Sequence, residues 1–188
     1  EKRTATLRAS DKPMVLEGYA AVFNSETKIG DFREQVAPGA FTESLDQDVR
    51  FLLNHDGLPF ARTSNGSLQL KEDDHGLHYR ATLLDTQAGR DLYSMVERGD
   101  LNESSFAFTI AEGGSRWVES AKYGPMGKRE ITNIKNLYDV SPVTYPAYSD
   151  TSVSARDLET AKYERELIEA EKSKASGDVV ALALARYK

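Results

Sequence analysis

The sequence predicts a mainly β domain of the α+β class, with peripheral helices and a charged helical tail at the C-terminal end. Strand-forming residues occur in short runs bounded by turn residues, which is typical of a β-rich domain. One amphipathic stretch in the middle of the chain carries a helix-capping residue at each end. After residue 156 the composition shifts to Glu, Lys, Arg and Ala, which favours a charged helix. We therefore divide the chain into a domain over 1–156 and a tail over 157–188.

Composition excludes several classes of function. The 188 residues suffice for one domain with a buried core and are few for two. A net charge of −6 disfavours nucleic-acid binding, because phosphate contacts need clustered Lys and Arg. The apolar runs are too short for a membrane span, and the first residues lack the apolar core of a signal peptide. The absence of cysteine excludes disulfides, thiolate nucleophiles and cysteine-bound zinc.

Three elements can be predicted from periodicity and capping. Residues 15–23 are rich in strand formers and predict a first core strand. Apolar residues alternate with polar ones in 68–70 and in 77–83, with turn residues between the two runs, so we predict a hairpin with one buried face. A helix is expected between Thr86 as N-cap and Gly99 just beyond its end.

Three histidines are the candidates for a catalytic base. His55 follows the apolar run 49–53 and precedes Gly57, so we expect it at a strand end, where a rigid scaffold can hold a side chain at a cleft. His75 falls in the predicted hairpin turn, and His78 faces outward from the same hairpin. A hydrogen-bonded structural histidine is an equally ordinary interpretation of His55. A short helix is also expected over 40–45, just before this region.

A serine hydroxyl becomes a nucleophile only when a base takes its proton, and a third group usually orients that base. In the predicted strand 104–110, alternation places Ser105 on the face opposite Phe106 and Phe108. A small residue that permits close packing is the alternative interpretation of Ser105. Asp139 could equally be a solvated or turn-forming carboxylate. Spacing alone does not select His55, Ser105 and Asp139 as a set.

Seven short blocks of residues follow one another in order along the chain. The blocks are Gly-Tyr-Ala-Ala-Val-Phe at 18–23, Val-Ala-Pro-Gly-Ala-Phe at 36–41, Asn-His-Asp at 54–56, Gly-Leu at 76–77, Arg-Gly-Asp-Leu at 98–101, Ser-Ser-Phe-Ala-Phe at 104–108 and Asp-Val-Ser-Pro-Val-Thr-Tyr-Pro-Ala-Tyr at 139–148. Their order and spacing over residues 2–156 resemble the prohead serine protease family of tailed bacteriophages. Several ordered blocks are far more specific than any single motif.

The resemblance implies a serine endopeptidase domain over 1–156, with His55 as general base, Ser105 as nucleophile and Asp139 as the third member of a triad. Asp139 stands where the family more often has Glu, and Ala107 stands where it has Gly. The implied fold is a closed or partly closed β-barrel with peripheral helices, similar to the capsid-maturation proteases of herpesviruses. Ser104 remains open as an alternative nucleophile.

The resemblance also implies where and on what the protein acts. The expected substrates are the scaffolding segment of the major capsid protein and the protease itself. Cleavage is expected inside an assembling procapsid in the cytoplasm of the bacterial host, without a cofactor, a nucleic acid or a membrane, and a homo-oligomer is left open. The tail over 157–188 is expected to dock to capsid or scaffold, to be removed by self-cleavage, or to pack on its own domain.

Two other classes of function remain open at this point. One is a catalytically inactive capsid-assembly or scaffolding module of the same fold. The other is a metal-dependent hydrolase that uses His55, Asp56 and either His75 or His78, because imidazole and carboxylate suit several metals. These residues lack the short helical spacing of the familiar zinc motifs, which disfavours the metal hypothesis.

Overall fold

The computed structural model describes residues 13–123 and 126–145, together with residue 170. Within residues 13–123 and 126–145 the chain forms eleven strands and one α-helix, which confirms a mainly β fold of the α+β class. In chain order the elements are β1 Val15–Val22, β2 Thr27–Ile29, β3 Phe32–Val36, β4 Arg50–Leu53, β5 Asp56–Arg62, β6 Leu68–Glu72, β7 Gly76–Thr82, α1 Gln87–Arg98, β8 Glu103–Ile110, β9 Ser115–Val118, β10 Lys128–Ile131 and β11 Ile134–Val143. The predicted tail 157–188 lies outside the described residues, apart from residue 170.

The described strands form three open sheets, with the strand orders β1-β7-β6, β2-β3-β10-β9 and β5-β4-β11-β8. A closed barrel requires every strand to be hydrogen-bonded to two neighbours. In each of these sheets the first and last strands have only one neighbour. The expectation of a closed or partly closed barrel is therefore wrong for the part of the chain that the structure describes.

The sheet β5-β4-β11-β8 carries the candidate site. Its central strand β11 runs parallel to β4 and antiparallel to β8. Phe51 of β4 and Val140 of β11 are register partners, and both are fully buried. On the other side Val140 pairs with Phe106 of β8, whose ring packs against Phe41 and Phe108. One face of this sheet is thus apolar core, and the residues directly before or after these core residues in a regular strand point to the other face.

The predicted first strand, hairpin and helix are confirmed. β1 pairs antiparallel with β7, and β7 with β6, so the hairpin lies beside the first strand. The side chain of Thr86 caps α1 by accepting a hydrogen bond from the Gly89 amide at 3.1 Å. Gly99 ends the helix with a φ of 88°, the left-handed conformation that glycine adopts without steric cost.

The expected short helix over 40–45 is replaced by a series of tight turns. The amides of Ala40, Thr42 and Ser44 each donate to the carbonyl three residues earlier. The Ser44 hydroxyl also donates to the Phe41 carbonyl, and such local bonds compete with a helical ladder. Phe41 is nevertheless fully buried, so its apolar side chain packs in the core from a turn.

The described residues divide into two compact units. One unit contains residues 13–26, 35–116 and 130–145 and holds every candidate site residue. The other contains residues 27–34, 117–123 and 126–129, and its apolar centre is Ile29 and Phe32 with Trp117 and Met126 packed against them. Within that second unit Arg129 donates to the Glu34 carboxylate at 2.7 Å, and both side chains are buried.

No helix in the described part of the chain is long and apolar enough to cross a membrane.

Candidate active site

His55 lies at the tip of a hairpin between β4 and β5. Leu53 pairs with Asp56, so Asn54 and His55 are the two residues of the turn. Both have a positive φ, 54° for Asn54 and 60° for His55. Positive φ at both central residues is the mark of a type I′ turn, whose twist matches that of the two strands it joins. The turn therefore projects the imidazole from the end of the sheet on a backbone conformation that few residues adopt readily.

Asn54 ties this turn to the C-terminal end of β11. Its amide donates to the Pro142 carbonyl at 3.0 Å. Its side-chain oxygen accepts from the Thr144 amide at 2.8 Å, and its side-chain nitrogen donates to the Thr144 hydroxyl at 3.3 Å. Three hydrogen bonds thus hold the tip of the hairpin against the strand that carries Asp139.

The base of the same hairpin is held by an ion pair. Arg62 Nε donates to Asp48 Oδ1 at 2.7 Å, and this hydrogen bond lowers the pKa of Asp48 to about 2. Because the folded pKa lies below the ordinary value, the pair stabilises the fold above the range where an unfolded Asp titrates, and it loses this effect as the pH falls toward 2. Both ends of the hairpin that presents His55 are therefore fixed.

A bulge in β11 turns Asp139 toward the site. Leu137 pairs with Phe108 of β8, and Asp139 pairs with Ala107, so two steps along β11 match one step along β8. Leu137 and Asp139 would share a face in a regular strand, but their partners are neighbours and point to opposite faces. Leu137 is consequently buried in the core, and Asp139 comes to the face that carries Ser105.

His55 and Asp139 are in direct contact. The distance between His55 Nδ1 and Asp139 Oδ1 is 2.7 Å. Asp139 is only 5% exposed, whereas the imidazole is about one third exposed at 32%. An ionised carboxylate can only accept, so Nδ1 is the donor in this contact, and in the neutral imidazole Nε2 then keeps a lone pair. The arrangement leaves a histidine with one nitrogen fixed and the other able to accept a proton.

Ser105 lies on the same face of the sheet as Asp139. It is the register partner of Ser141, and residues that face each other on adjacent strands point to the same side. Alternation predicts Ser105 on the face away from Phe106, and the structure confirms this. However, Ser105 is only 2% exposed, so it does not lie on an open surface. Among the described residues its hydroxyl makes no hydrogen bond to His55 or Asp139. Catalytic hydrogen bonds of unliganded enzymes are often long and shorten when substrate binds.

Ser104, the alternative nucleophile, points to the opposite face. Its hydroxyl lies 2.8 Å from the Tyr79 hydroxyl. Burial raises the pKa of Tyr79, and the hydrogen bond with Ser104 opposes that shift. Ser104 is thus joined to a buried tyrosine on the far side of the sheet from His55 and Asp139.

The other two histidines pack around a tyrosine of β1. The ring of Tyr19 lies 4.5 Å from that of His75 and 5.2 Å from that of His78, measured between centroids. Asp56 accepts a hydrogen bond from the adjacent Gly57 amide at 2.7 Å. Within residues 13–123 and 126–145, no three His, Asp or Glu side chains lie close enough together to hold a metal ion. The metal hypothesis therefore has no convergent ligand set in this region.

Sequence reasoning missed the residues that support His55 and Asp139. The Ser141 hydroxyl donates to Asp139 Oδ1 at 2.6 Å, and Asn54 and Thr144 fix the turn. Ser141 is two residues beyond Asp139, so period-two alternation could have placed both on one face. The contact between Asn54 and Thr144 spans ninety positions in the chain and leaves no local signal.

Residues 2–166 match the family described as caudovirus prohead serine protease. The chain is also similar to the prohead protease of Enterobacteria phage HK97, with 30% identity over 150 residues that make up 77% of this chain and 60% of the relative. The chain thus spans about 60% of the length of that relative. No solved structure matches the chain. Because the family match covers most of the chain, this protein belongs to the caudovirus prohead serine protease family.

Proposed function

We propose that this protein is a capsid-maturation serine endopeptidase in which Ser105 is the nucleophile, His55 the general base and Asp139 the residue that orients His55. The observation that supports these roles most is the 2.7 Å contact between His55 Nδ1 and Asp139 Oδ1, on the sheet face that also carries Ser105. A carboxylate, an imidazole and a hydroxyl in this order are the parts that acyl transfer by serine proteases requires.

The first half of the reaction forms an acyl-enzyme. Ser105 Oγ attacks the carbonyl carbon of the scissile peptide bond, and His55 Nε2 takes the hydroxyl proton. Asp139 stabilises the imidazolium that results and keeps its ring in place. The imidazolium then gives the proton to the leaving nitrogen as the C–N bond breaks, which leaves the acyl group on Ser105 as an ester and releases an amine.

The second half removes the acyl group by hydrolysis. A water molecule gives one proton to His55 Nε2 while its oxygen attacks the ester carbonyl. The bond to Ser105 breaks, and the imidazolium returns the proton to the serine oxygen. The products are a new carboxyl end on the substrate and a regenerated hydroxyl, so no other reactant is consumed.

The proposed substrates are the scaffolding segment of the major capsid protein and the protease itself, cleaved inside the procapsid in the bacterial host. The family to which the chain belongs and the prohead protease of phage HK97 support this assignment. An extended segment of substrate would suit the site, because a strand edge can bind an incoming peptide by main-chain hydrogen bonds.

The direct test is proteolysis of the cognate capsid precursor by purified wild type, Ser105→Ala and Ser104→Ala, with the new ends mapped by mass spectrometry. We expect wild type and Ser104→Ala to cut the precursor at the same bonds. Ser105→Ala should fall to background, since loss of the nucleophile in a serine triad costs roughly 10⁶-fold in kcat. Ser104→Ala is the matched control because its hydroxyl bonds Tyr79 on the other face.

Two outcomes would contradict the proposal. Full cleavage by Ser105→Ala with loss in Ser104→Ala would move the nucleophile by one residue and refute the assignment of strand faces. Failure of folded wild type to cut either the precursor or itself would favour the inactive scaffolding module.

A further inference from the structure

We infer that Ser141 is a positioning residue of this site, whose hydroxyl fixes the Asp139 carboxylate that in turn orients His55. The inference deepens the proposed function and rests on it, because it assigns a role within the same catalytic group. Ser141 does not touch the reacting atoms in this account and acts only through Asp139.

One carboxylate oxygen receives both contacts. Asp139 Oδ1 accepts from Ser141 Oγ at 2.6 Å and from His55 Nδ1 at 2.7 Å. Ser141 is fully buried and Asp139 is 5% exposed. Bulk water therefore has little access to replace the Ser141 hydroxyl, and a buried carboxylate that loses a donor is costly to leave unsatisfied.

The direction of the Ser141 hydrogen bond follows from its acceptor. An ionised carboxylate has no proton to give, so the serine hydroxyl must be the donor. Its proton is then directed at Asp139 and not at an imidazole. The hydroxyl of Ser141 is thus bonded to the acid of the proposed triad, although Ser141 lies directly across from Ser105 in the sheet.

The position of Ser141 in β11 connects the parts of the site. It lies two residues after Asp139 on the same face and opposite Ser105 of β8. The next residue, Pro142, accepts the amide of Asn54 from the turn that presents His55. Two neighbouring residues of β11 therefore contact three parts of the site. The Ser141 side chain bonds Asp139, its backbone pairs with β8 at Ser105, and the Pro142 carbonyl bonds the turn that presents His55.

Loss of the Ser141 hydroxyl has two physical consequences for Asp139. The carboxylate becomes freer to rotate about its last side-chain bond, because one of the two contacts that define its plane is gone. It also becomes a stronger acceptor toward the imidazolium, since less of its charge is used in another hydrogen bond. Ser141→Ala should therefore change the His55 ring environment and the pH profile of the reaction, and a merely structural serine would change neither.

The test compares wild type, Ser141→Ala and the control Ser104→Ala in the intact chain. NMR detects the proton between His55 Nδ1 and Asp139 as a low-field resonance, and this measurement needs no turnover. We expect the chemical shift of this proton, or its rate of exchange with water, to change in Ser141→Ala and to stay as in wild type in Ser104→Ala. If the resonance in Ser141→Ala equals that of wild type, the inference is overturned.

Cleavage of a peptide that spans a mapped site gives the second readout. In Ser141→Ala we expect kcat to fall by about 10-fold or more with KM unchanged, because a carboxylate that is freer to rotate positions the imidazole less well. The acidic limb of the kcat/KM profile should move to higher pH. Ser141→Cys, which is somewhat larger and donates only weakly, is the second variant should the alanine form fail to fold, and its rate should lie below that of wild type.

The two proposals fail in different ways. Activity that is absent from wild type or retained in Ser105→Ala would overturn the proposed function, while the NMR comparison would still decide whether Ser141 acts on Asp139 and His55. Wild-type kinetics and an unmoved pH profile in Ser141→Ala, beside an inactive Ser105→Ala, would overturn the role of Ser141 alone.

Discussion

The side chain of Asp139 is one methylene shorter than the Glu that the family resemblance leads one to expect, yet its Oδ1 lies 2.7 Å from His55 Nδ1. The course of the backbone makes this side-chain contact possible. The bulge before Asp139 turns this residue toward the site, and the hydrogen bonds of Asn54 to Thr144 hold the His55 turn against the same strand. The backbone of β11 thus brings the shorter side chain of Asp139 within reach of His55, and a Glu is not needed for this contact.

Two replacements of Asp139 test the role of its charge and the role of its side-chain length separately. Asp139→Asn should lower the rate of peptide cleavage by roughly 10⁴-fold, because the neutral amide stabilises the wrong imidazole tautomer and no longer stabilises the imidazolium. Asp139→Glu keeps the charge but adds a methylene at a buried position, so it should retain more activity than Asn at some cost in stability. Single-turnover cleavage of one peptide measures both, with circular dichroism as the folding control.

Wild-type rates in folded Asp139→Asn would show that this carboxylate has no catalytic role. The site would then be a dyad of Ser105 and His55, or another acid would assist it. Asp56 is the first to replace, since it directly follows His55 and its carboxylate bonds only the adjacent Gly57 amide among the described contacts.

Alternation along β8 distinguishes the two neighbouring serines, and this could be predicted from residues 104–110 alone. The structure places Ser105 with Asp139 and Ser104 with Tyr79. The burial of Ser105 could not be predicted in the same way. Alternation tells which face a side chain points to, but long-range packing decides how much of that face water reaches.

The hairpin formed by β4 and β5 is the element on which the site depends, and its strain gives a sharp test. His55 occupies the second position of its turn with a φ of 60°, where glycine is favoured. His55→Gly and His55→Ala remove the same imidazole, but only alanine has a β-carbon in the left-handed conformation. We expect the free energy of unfolding of His55→Gly to exceed that of His55→Ala by about 1 kcal/mol, measured by urea denaturation, with both variants inactive.

Equal stability of the two variants would mean that the turn relaxes from its left-handed conformation once the imidazole is gone. Greater stability of the alanine form would contradict the described backbone at His55. Either result would weaken the argument that the scaffold holds this histidine in a costly conformation for the sake of its position.

The same hairpin shows why sequence reasoning found β4 and missed β5. A two-residue turn is normally signalled by Asn-Gly, and here His55 stands in the place of that glycine. Gly57 and Pro59 disfavour a strand, yet β5 is an edge strand, where a missing amide can face outward. The bulge in β11 could not be predicted from the sequence either. Leu137 and Asp139 are two residues apart, as in a regular strand, and only the pairing with β8 shows the extra residue.

For the molecule as a whole, local patterns predicted the mainly β class, the first strand, the β6–β7 hairpin and the capped helix. They could not predict how the strands assemble, because a pairing such as β11 with β4 joins residues far apart in the chain. The barrel was inferred from family likeness, and the described strands form open sheets instead. The roles of His55, Ser105 and Asp139 were likewise implied by that likeness. The structure brings His55 and Asp139 into contact, and the three catalytic roles stay predictions.

In the proposed reaction Ser105 is a nucleophile that His55 activates. The most direct test of this activation is covalent capture with a fluorophosphonate, followed by peptide mapping of the adduct in wild type, His55→Gly and Ser104→Ala. We expect one modified residue, Ser105, in wild type and in Ser104→Ala. Labelling should be lost in His55→Gly, because no base remains to take the hydroxyl proton. Labelling of Ser104 or Ser141 in wild type, or of Ser105 at the wild-type rate in His55→Gly, would contradict this mechanism.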